Sequence, residues 1–145
     1  MERHRVLVVD DEADVLLLCR ANLEFEGFEV LEAADGASAL EQARRERPDV
    51  VLLDVMMPEM DGWQVLAALK EDEELAPIPV VMLTAKVQVR DQVHGWSLGA
   101  ADHVTKPFSP LELSQVLEDV LATDPAEERR RREAGLAKLE LLRDP

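Results

Sequence analysis

The chain has a single cysteine, Cys19, no tyrosine, and few aromatic residues of any kind, three phenylalanines and two tryptophans. One thiol excludes an internal disulfide framework, and on its apolar helical stripe Cys19 reads as a plain core residue. No apolar stretch approaches the ~20 residues needed to cross a bilayer. The opening Met1-Glu2-Arg3-His4-Arg5 runs into a short apolar stretch that stops at two aspartates, which does not match a signal peptide. These absences make a soluble, cytoplasmic chain without membrane contact the expectation. Positive charge is also scarce: 16 Lys and Arg stand against 31 Asp and Glu, for a formal net charge of −15. The whole imbalance lies in residues 1–123, with 10 basic and 25 acidic side chains, while residues 124–145 hold six of each. Such acidity repels a nucleic-acid backbone and favours cations. Most of these carboxylates belong to a solvated surface, so a chemical role has to rest on particular ones.

What is present suits one packed domain over 1–123, followed by a charged helical extension or linker over 124–145. Of the 145 residues, 47% are hydrophobic, enough for a core. Three brief apolar runs, Val6 to Val9, Val50 to Leu53 and Pro79 to Leu83, are rich in β-branched side chains. They suit strands buried on both faces of a parallel sheet. Weaker strands fit Phe28 to Glu32 and His103 to Thr105. Between them the apolar residues fall at helical spacing: Leu16, Cys19 and Leu23; Leu66 and Leu69; Val89, Val93 and Trp96; Leu113, Val116 and Val120. Strand and helix thus alternate five times, which predicts an α/β fold with an open, doubly wound parallel sheet covered on both faces.

Punctuation supports that register. Ser109-Pro110-Leu111-Glu112 supplies an N-cap, a proline in the first turn and a glutamate three residues after the cap. Asp35-Gly36 and Asp61-Gly62 each place a capping side chain before a helix. Pro48 closes the second helix. Asp124-Pro125 opens an extra C-terminal helix running to about Leu142, whose Arg129 to Arg132 run is flanked by Glu127, Glu128 and Glu133.

In an open α/β sheet, ligands gather beyond the carboxyl ends of the strands, where strand order reverses. The residues ending the apolar runs are therefore informative. The first run ends in Asp10-Asp11-Glu12, the third strand in Asp54, the fourth in Thr84-Ala85, and Lys106-Pro107 follows the fifth. Three aspartates, a hydroxyl and an ammonium converge on one edge. Neighbouring carboxylates oppose one another's ionisation unless a cation sits among them. A hard divalent ion with oxygen ligands relieves that repulsion, and Mg²⁺ takes one or two carboxylates and leaves room for water and phosphate. Read alone, Asp10 is a helix cap, Thr84 a strand threonine and Lys106 a surface lysine; their convergence argues otherwise.

Val-Val-Asp10-Asp11-Glu12, Leu-Leu-Asp54-Val-Met-Met-Pro58, Met60-Asp61-Gly62, Leu83-Thr84-Ala85, Gly99-Ala100-Ala101-Asp102 and Thr105-Lys106-Pro107-Phe108 together resemble the ordered signature of response-regulator receiver domains of two-component signalling. The resemblance spans about residues 5–122. It implies a flavodoxin-like (βα)5 fold with strand order 2-1-3-4-5. It implies that Asp54 is the phosphoacceptor for a histidine kinase or a phosphotransfer protein, with Mg²⁺ or Mn²⁺ as cofactor. Asp11, Asp54 and the backbone carbonyl of Met56 would ligate the metal, with Asp10 holding it through water. Lys106 and Thr84 would meet phosphoryl oxygens. Thr84 and His103 would form the switch, and Met56 and Lys86, each two residues beyond a signature position, would tune hydrolysis. The output would be partner binding or a homodimer through the fourth and fifth helices, the sequence leaving the oligomeric state open, with no direct nucleic-acid binding.

This chain departs from the usual pattern at His103, where receivers place Tyr or Phe. Charge on that imidazole would add pH sensitivity near pH ~6–7. Apolar Met56 offers nothing to orient an attacking water, so self-dephosphorylation is expected to be slow. Two other functions compete. A phosphohydrolase with an aspartate nucleophile would want two aspartates spaced one apart after the first strand, whereas Asp10 and Asp11 are adjacent. A DNA-binding regulator would need more than the 22 residues after Thr123, so the chain would be only the receiver half of it.

Overall fold

The computed structural model describes residues 3–85, 98–123, 130, 133 and 134. Its elements are β1 (Arg5–Val9), α1 (Ala13–Phe25), β2 (Glu29–Ala33), α2 (Gly36–Glu46), β3 (Val50–Asp54), α3 (Gly62–Glu71), β4 (Val80–Thr84), β5 (Asp102–Thr105) and α4 (Pro110–Ala122). The helix expected over Val89 to Trp96 lies outside the described residues, so α4 corresponds to the fifth helical stretch of the sequence. The C-terminal extra helix also lies outside them, apart from residues 130, 133 and 134, which are helical.

The strands form one parallel sheet in the order β2-β1-β3-β4-β5. Each of the three apolar runs became a strand because only a sheet buried on both faces can use every side chain of a β-branched run. In β1, Val6 and Val8 face α1 and α4, among Cys19, Leu23, Leu113 and Leu117. Leu7 and Val9 face the other way, among Ala39, Leu40 and Ala43 of α2 and Val65, Leu66 and Leu69 of α3. All four β1 residues are fully buried, and each such side chain contributes about 1.5–3 kcal/mol. A polar substitution at Leu7 or Val8 would break both the sheet and one helical layer.

The expected caps are present. Asp35 accepts from the Ser38 N–H at 2.8 Å, and Asp61 and Gln64 form a reciprocal capping box. Ser109 Oγ accepts from the Glu112 N–H at 3.1 Å, with Pro110 opening α4. These groups answer helix N–H donors that would otherwise lack partners. Helix α2 stops at Arg47, in the left-handed conformation just before Pro48. β1 neighbours both β2 and β3, and the chain turns one way after β1 and the other after β3. The crevice between the carboxyl ends of β1 and β3 is therefore the sheet's switch point. Among the described residues no helix is long and apolar enough to cross a membrane.

Candidate phosphoacceptor site

Among the described residues, four polar side chains are buried: Asp10, Asp54, Thr84 and Ser114. Three of them lie at the carboxyl ends of β1, β3 and β4, on either side of the switch point. Asp10 follows the last residue of β1, and its N–H donates to the Ala33 carbonyl of β2 at 3.2 Å. Its Oδ1 accepts from the Glu12 N–H at 2.9 Å. The N-cap of α1 is Glu12, without a side-chain cap bond, so Asp10 is not the cap of that helix. Asp54 ends β3 opposite Leu83, and its Oδ1 accepts from the Met56 N–H at 3.3 Å. Asp11 is exposed at the rim. Single carboxylate oxygens of Asp10, Asp11 and Asp54 all lie within 4.8 Å of one another.

Lys106 reaches this group from the loop after β5. Its N–H donates to the Thr84 carbonyl at 2.6 Å, and the Lys106–Pro107 peptide bond is cis. The ammonium lies 2.8 Å from Asp10 Oδ2, 3.6 Å from Asp54 Oδ1 and 3.9 Å from Glu12 Oε1. Among the described residues, one ammonium thus meets three carboxylates, with Asp11 beside them at the rim. Burial pulls the Lys106 ammonium down, but the hydrogen bond to Asp10 and the charges of Asp54, Asp10 and Glu12 outweigh it, and the net shift is upward. Asp54 goes the other way from an ordinary surface aspartate. Burial, then the neighbouring Asp10 charge, push its carboxyl up from 3.8 to about 6, against the opposing pull of Lys106. Burial also lifts the Cys19 thiol to about 12, so Cys19 is an inert core group.

The donor set tests whether a divalent cation fits. All three close ligand atoms are carboxylate oxygens, the hard donors that Mg²⁺ or Mn²⁺ prefer. Asp54 is short of positive charge, which a divalent ion would supply. Thr84 Oγ1 is buried and has no hydrogen-bond partner among the described residues. A buried hydroxyl without a partner is costly, and an oxygen-rich ligand beside Asp54 would satisfy it. The acidic cluster, the ammonium and the hydroxyl together fit a metal-bound phosphoryl group.

Asp10, Asp11, Asp54, Thr84 and Lys106, the side chains the sequence singles out, are thus gathered at one edge. Met56 belongs to the same loop, with its side chain 73% exposed. His103 stands on β5 opposite Met82, three residues before Lys106, and is half-buried. Lys86 lies outside the described residues. The pairing of Lys106 with Asp10 had no signal in the sequence. Nor did Glu59, which holds a left-handed φ of 67° in the loop after Asp54.

Comparison with known proteins identifies the family and agrees with the fold. The response regulator receiver domain matches residues 6–118. The chain is 44% identical over 117 residues to the alkaline phosphatase synthesis transcriptional regulatory protein PhoP of Bacillus subtilis (strain 168), covering 81% of this chain and 48% of that protein. It is 41% identical over 121 residues to the probable transcriptional regulator ycf27 of Porphyridium aerugineum, covering 83% and 49%. The chemotaxis protein CheY4 of Vibrio cholerae superposes with a TM-score of 0.79 at 34% identity, covering 82% of this chain and 99% of that structure. The chain spans about half the length of the curated relatives it matches. Those relatives are transcriptional regulators, so the exclusion of nucleic acid drawn from charge does not extend to a longer protein containing this segment.

Proposed function

The chain belongs to the response-regulator receiver family, and from that premise we propose that Asp54 accepts a phosphoryl group from a histidine kinase or phosphotransfer protein. The observation that carries this is the position of Asp54: a carboxylate at the switch point, 3% exposed, ringed by Asp10, Asp11, Thr84 and Lys106. Asp54 Oδ attacks phosphorus and forms the new P–O bond, while the P–N bond to the donor imidazole breaks and its electron pair returns to the ring. A carboxylate nucleophile needs no general base. Asp11, Asp54 and the Met56 carbonyl would hold Mg²⁺ or Mn²⁺, with Asp10 acting through water. The ion supplies positive charge to the phosphoryl oxygens when bound. Lys106 leaves Asp10 to pair with one phosphoryl oxygen, and Thr84 donates to another, satisfying its orphaned hydroxyl. Such transfer depends on positioning and electrostatics.

Thr84 and His103 then act as the switch, Met56 and Lys86 tune hydrolysis, and the apolar Met56 keeps it slow. The output is partner binding or a homodimer through α4 and the preceding helical stretch. The protein works in the cytoplasm as a signalling module without substrate turnover. The half-length match to PhoP and ycf27 supports a second reading, that residues 1–123 are the receiver part of a longer regulator whose other part binds DNA. Residues 124–145 would then be the linker. Turnover of a small phosphomonoester would instead favour a phosphohydrolase.

The test is a phosphate mimic, beryllofluoride, added with Mg²⁺ to the chain and to Asp54→Ala. Amide resonances at Asp54, Thr84 and His103 are expected to shift in the parent only, and sedimentation of the same samples reads any dimer. An equal response in Asp54→Ala overturns the proposal, and an unmoved His103 imidazole removes it from the switch.

A further inference from the structure

Helix α3 begins directly on the end of β3. A Cβ placed on Gly62 would lie 2.2 Å from the Asp54 carbonyl oxygen, 2.8 Å from Val55 Cα and 2.9 Å from the Asp54 carbonyl carbon. All three are main-chain atoms, which cannot swing aside as a side-chain end can. Gly62 does not have a positive φ, unlike Gly27 and Gly99. The backbone conformation therefore does not demand glycine here, and alanine is the better helix former. Contact alone excludes a side chain.

That contact bears on the proposed metal site. The Gly62 N–H donates to the Val55 carbonyl at 2.9 Å, and the capping box of Asp61 and Gln64 fixes the first turn of α3 above it. The same Val55–Met56 peptide turns back to the acceptor at its other end, because its Met56 N–H donates to Asp54 Oδ1. Gly62 is thus coupled through the Val55 main chain to both Met56 and the Asp54 carboxylate. Gly36 offers the contrast. A Cβ there would meet Met60 Sδ at 2.8 Å, Met60 Cγ at 2.9 Å and Val65 Cγ2 at 2.9 Å, all side-chain atoms. The two glycines border the same loop, but only Gly62 touches the acceptor's main chain.

We propose that Gly62 is a positioning residue, whose missing side chain lets α3 rest on the Asp54–Val55 main chain and so sets the Met56 carbonyl relative to the Asp54 carboxylate. This rests on the assignment of Asp54 as phosphoacceptor and of Met56 as metal ligand. Added bulk at 62 moves the ligands apart, whereas added bulk at 36 moves the Met60 side chain.

The experiment compares the parent, Gly62→Ala, Gly36→Ala and Asp61→Ala in thermal melting, in amide chemical shifts of the metal-free chains, and in Mg²⁺ titration followed by those shifts. Gly62→Ala is expected to displace the Val55 and Met56 amide resonances before any metal is added. It is then expected to weaken Mg²⁺ binding by about tenfold, the scale of a lost supporting contact. Gly36→Ala is expected to stay within about twofold of the parent on the same scale, whatever its melting temperature. Asp61→Ala frees the first turn without adding atoms to the contact and is expected to weaken Mg²⁺ several-fold, which keeps the test open if Gly62→Ala does not fold. Parent-like Mg²⁺ affinity in a folded Gly62→Ala, or in Asp61→Ala beside an unfolded Gly62→Ala, overturns the positioning role. A parent that binds no Mg²⁺ overturns the site assignment instead.

Discussion

The two edges of the sheet both hold charge, but they treat it in opposite ways. At the amino edge Arg5 binds the Glu46 carboxylate at 2.8 Å and the Glu46 carbonyl, and its own N–H donates to Asp49. Lys70 gives hydrogen bonds to the carbonyls of Ala76 and Ile78, and Arg47 pairs with Glu74. Each cation there meets oxygen partners that neutralise or satisfy it. At the carboxyl edge, among the described residues, Asp10, Asp54 and Glu12 share the ammonium of Lys106, and the hydroxyl of Thr84 is left without a partner. The difference separates a structural use of charge from a functional one. An edge built for stability closes its polar groups on itself, while an edge built for a ligand leaves them waiting for one.

Removing the shared cation should break the contrast most visibly. Lys106→Ala leaves Asp10 and Asp54 buried without their counter-charge, and the metal-free chain is expected to lose about 3 kcal/mol at pH 7. Because Asp54 takes up its proton near pH 6, urea melts should show the loss shrinking as pH falls through that value. A loss that stays constant from pH 8 to pH 4 would contradict the account.

Next comes Asp54 itself. Its folded carboxyl is raised above the unfolded value of 3.8 to about 6. The stability of the protonated form is thus fully present below about pH 4 and is lost as pH rises through about 6. In metal-free chain, Asp54→Asn should therefore stabilise by up to about 3 kcal/mol at neutral pH and by nothing below pH 4. Added Mg²⁺ should stabilise the parent at neutral pH and erase most of the variant's advantage, as calorimetry with and without the ion would show.

The amino edge sets the scale for ordinary charge. Arg5→Ala should cost about 1 kcal/mol, with little change between pH 5 and pH 8 and full phosphoryl acceptance. Among the described residues, each edge also carries one non-glycine residue at positive φ, Arg47 below and Glu59 above. Glu59→Gly should relieve strain in the loop beside Asp54 and raise stability by about 0.5–1 kcal/mol. Met56→Asn, in the same loop, should shorten the lifetime of the phosphoryl group several-fold with little change in melting temperature.

Much of this architecture is legible in the amino-acid sequence. The β-branched runs at Val6, Val50 and Val80 mark central strands because burial on both faces leaves no polar positions. The caps at Asp35, Asp61 and Ser109 mark helix starts because their chemistry is local. The acidic, hydroxyl and lysine residues of the site follow, since each sits where an apolar run ends. Contacts across space are less accessible. Nothing local shows that Lys106 would close on Asp10, 96 residues away, because that pairing depends on how β5 is set beside β4. Gly62 reads locally as a partner to the Asp61 cap, and its approach to the Asp54 main chain depends on the packing of α3 against the end of β3. Element edges shift by single residues too. β2 begins at Glu29 rather than Phe28, whose side chain is buried in the core beside α1 and β1.

Mass spectrometry of the intact chain, incubated with Mg²⁺ and a small acyl phosphate, tests the central claim most directly. The parent is expected to gain one phosphoryl group that is lost on removing Mg²⁺ from the labelling reaction, and Asp54→Ala is expected to gain none. Phosphoryl incorporation into Asp54→Ala equal to that of the parent would contradict the assignment of Asp54.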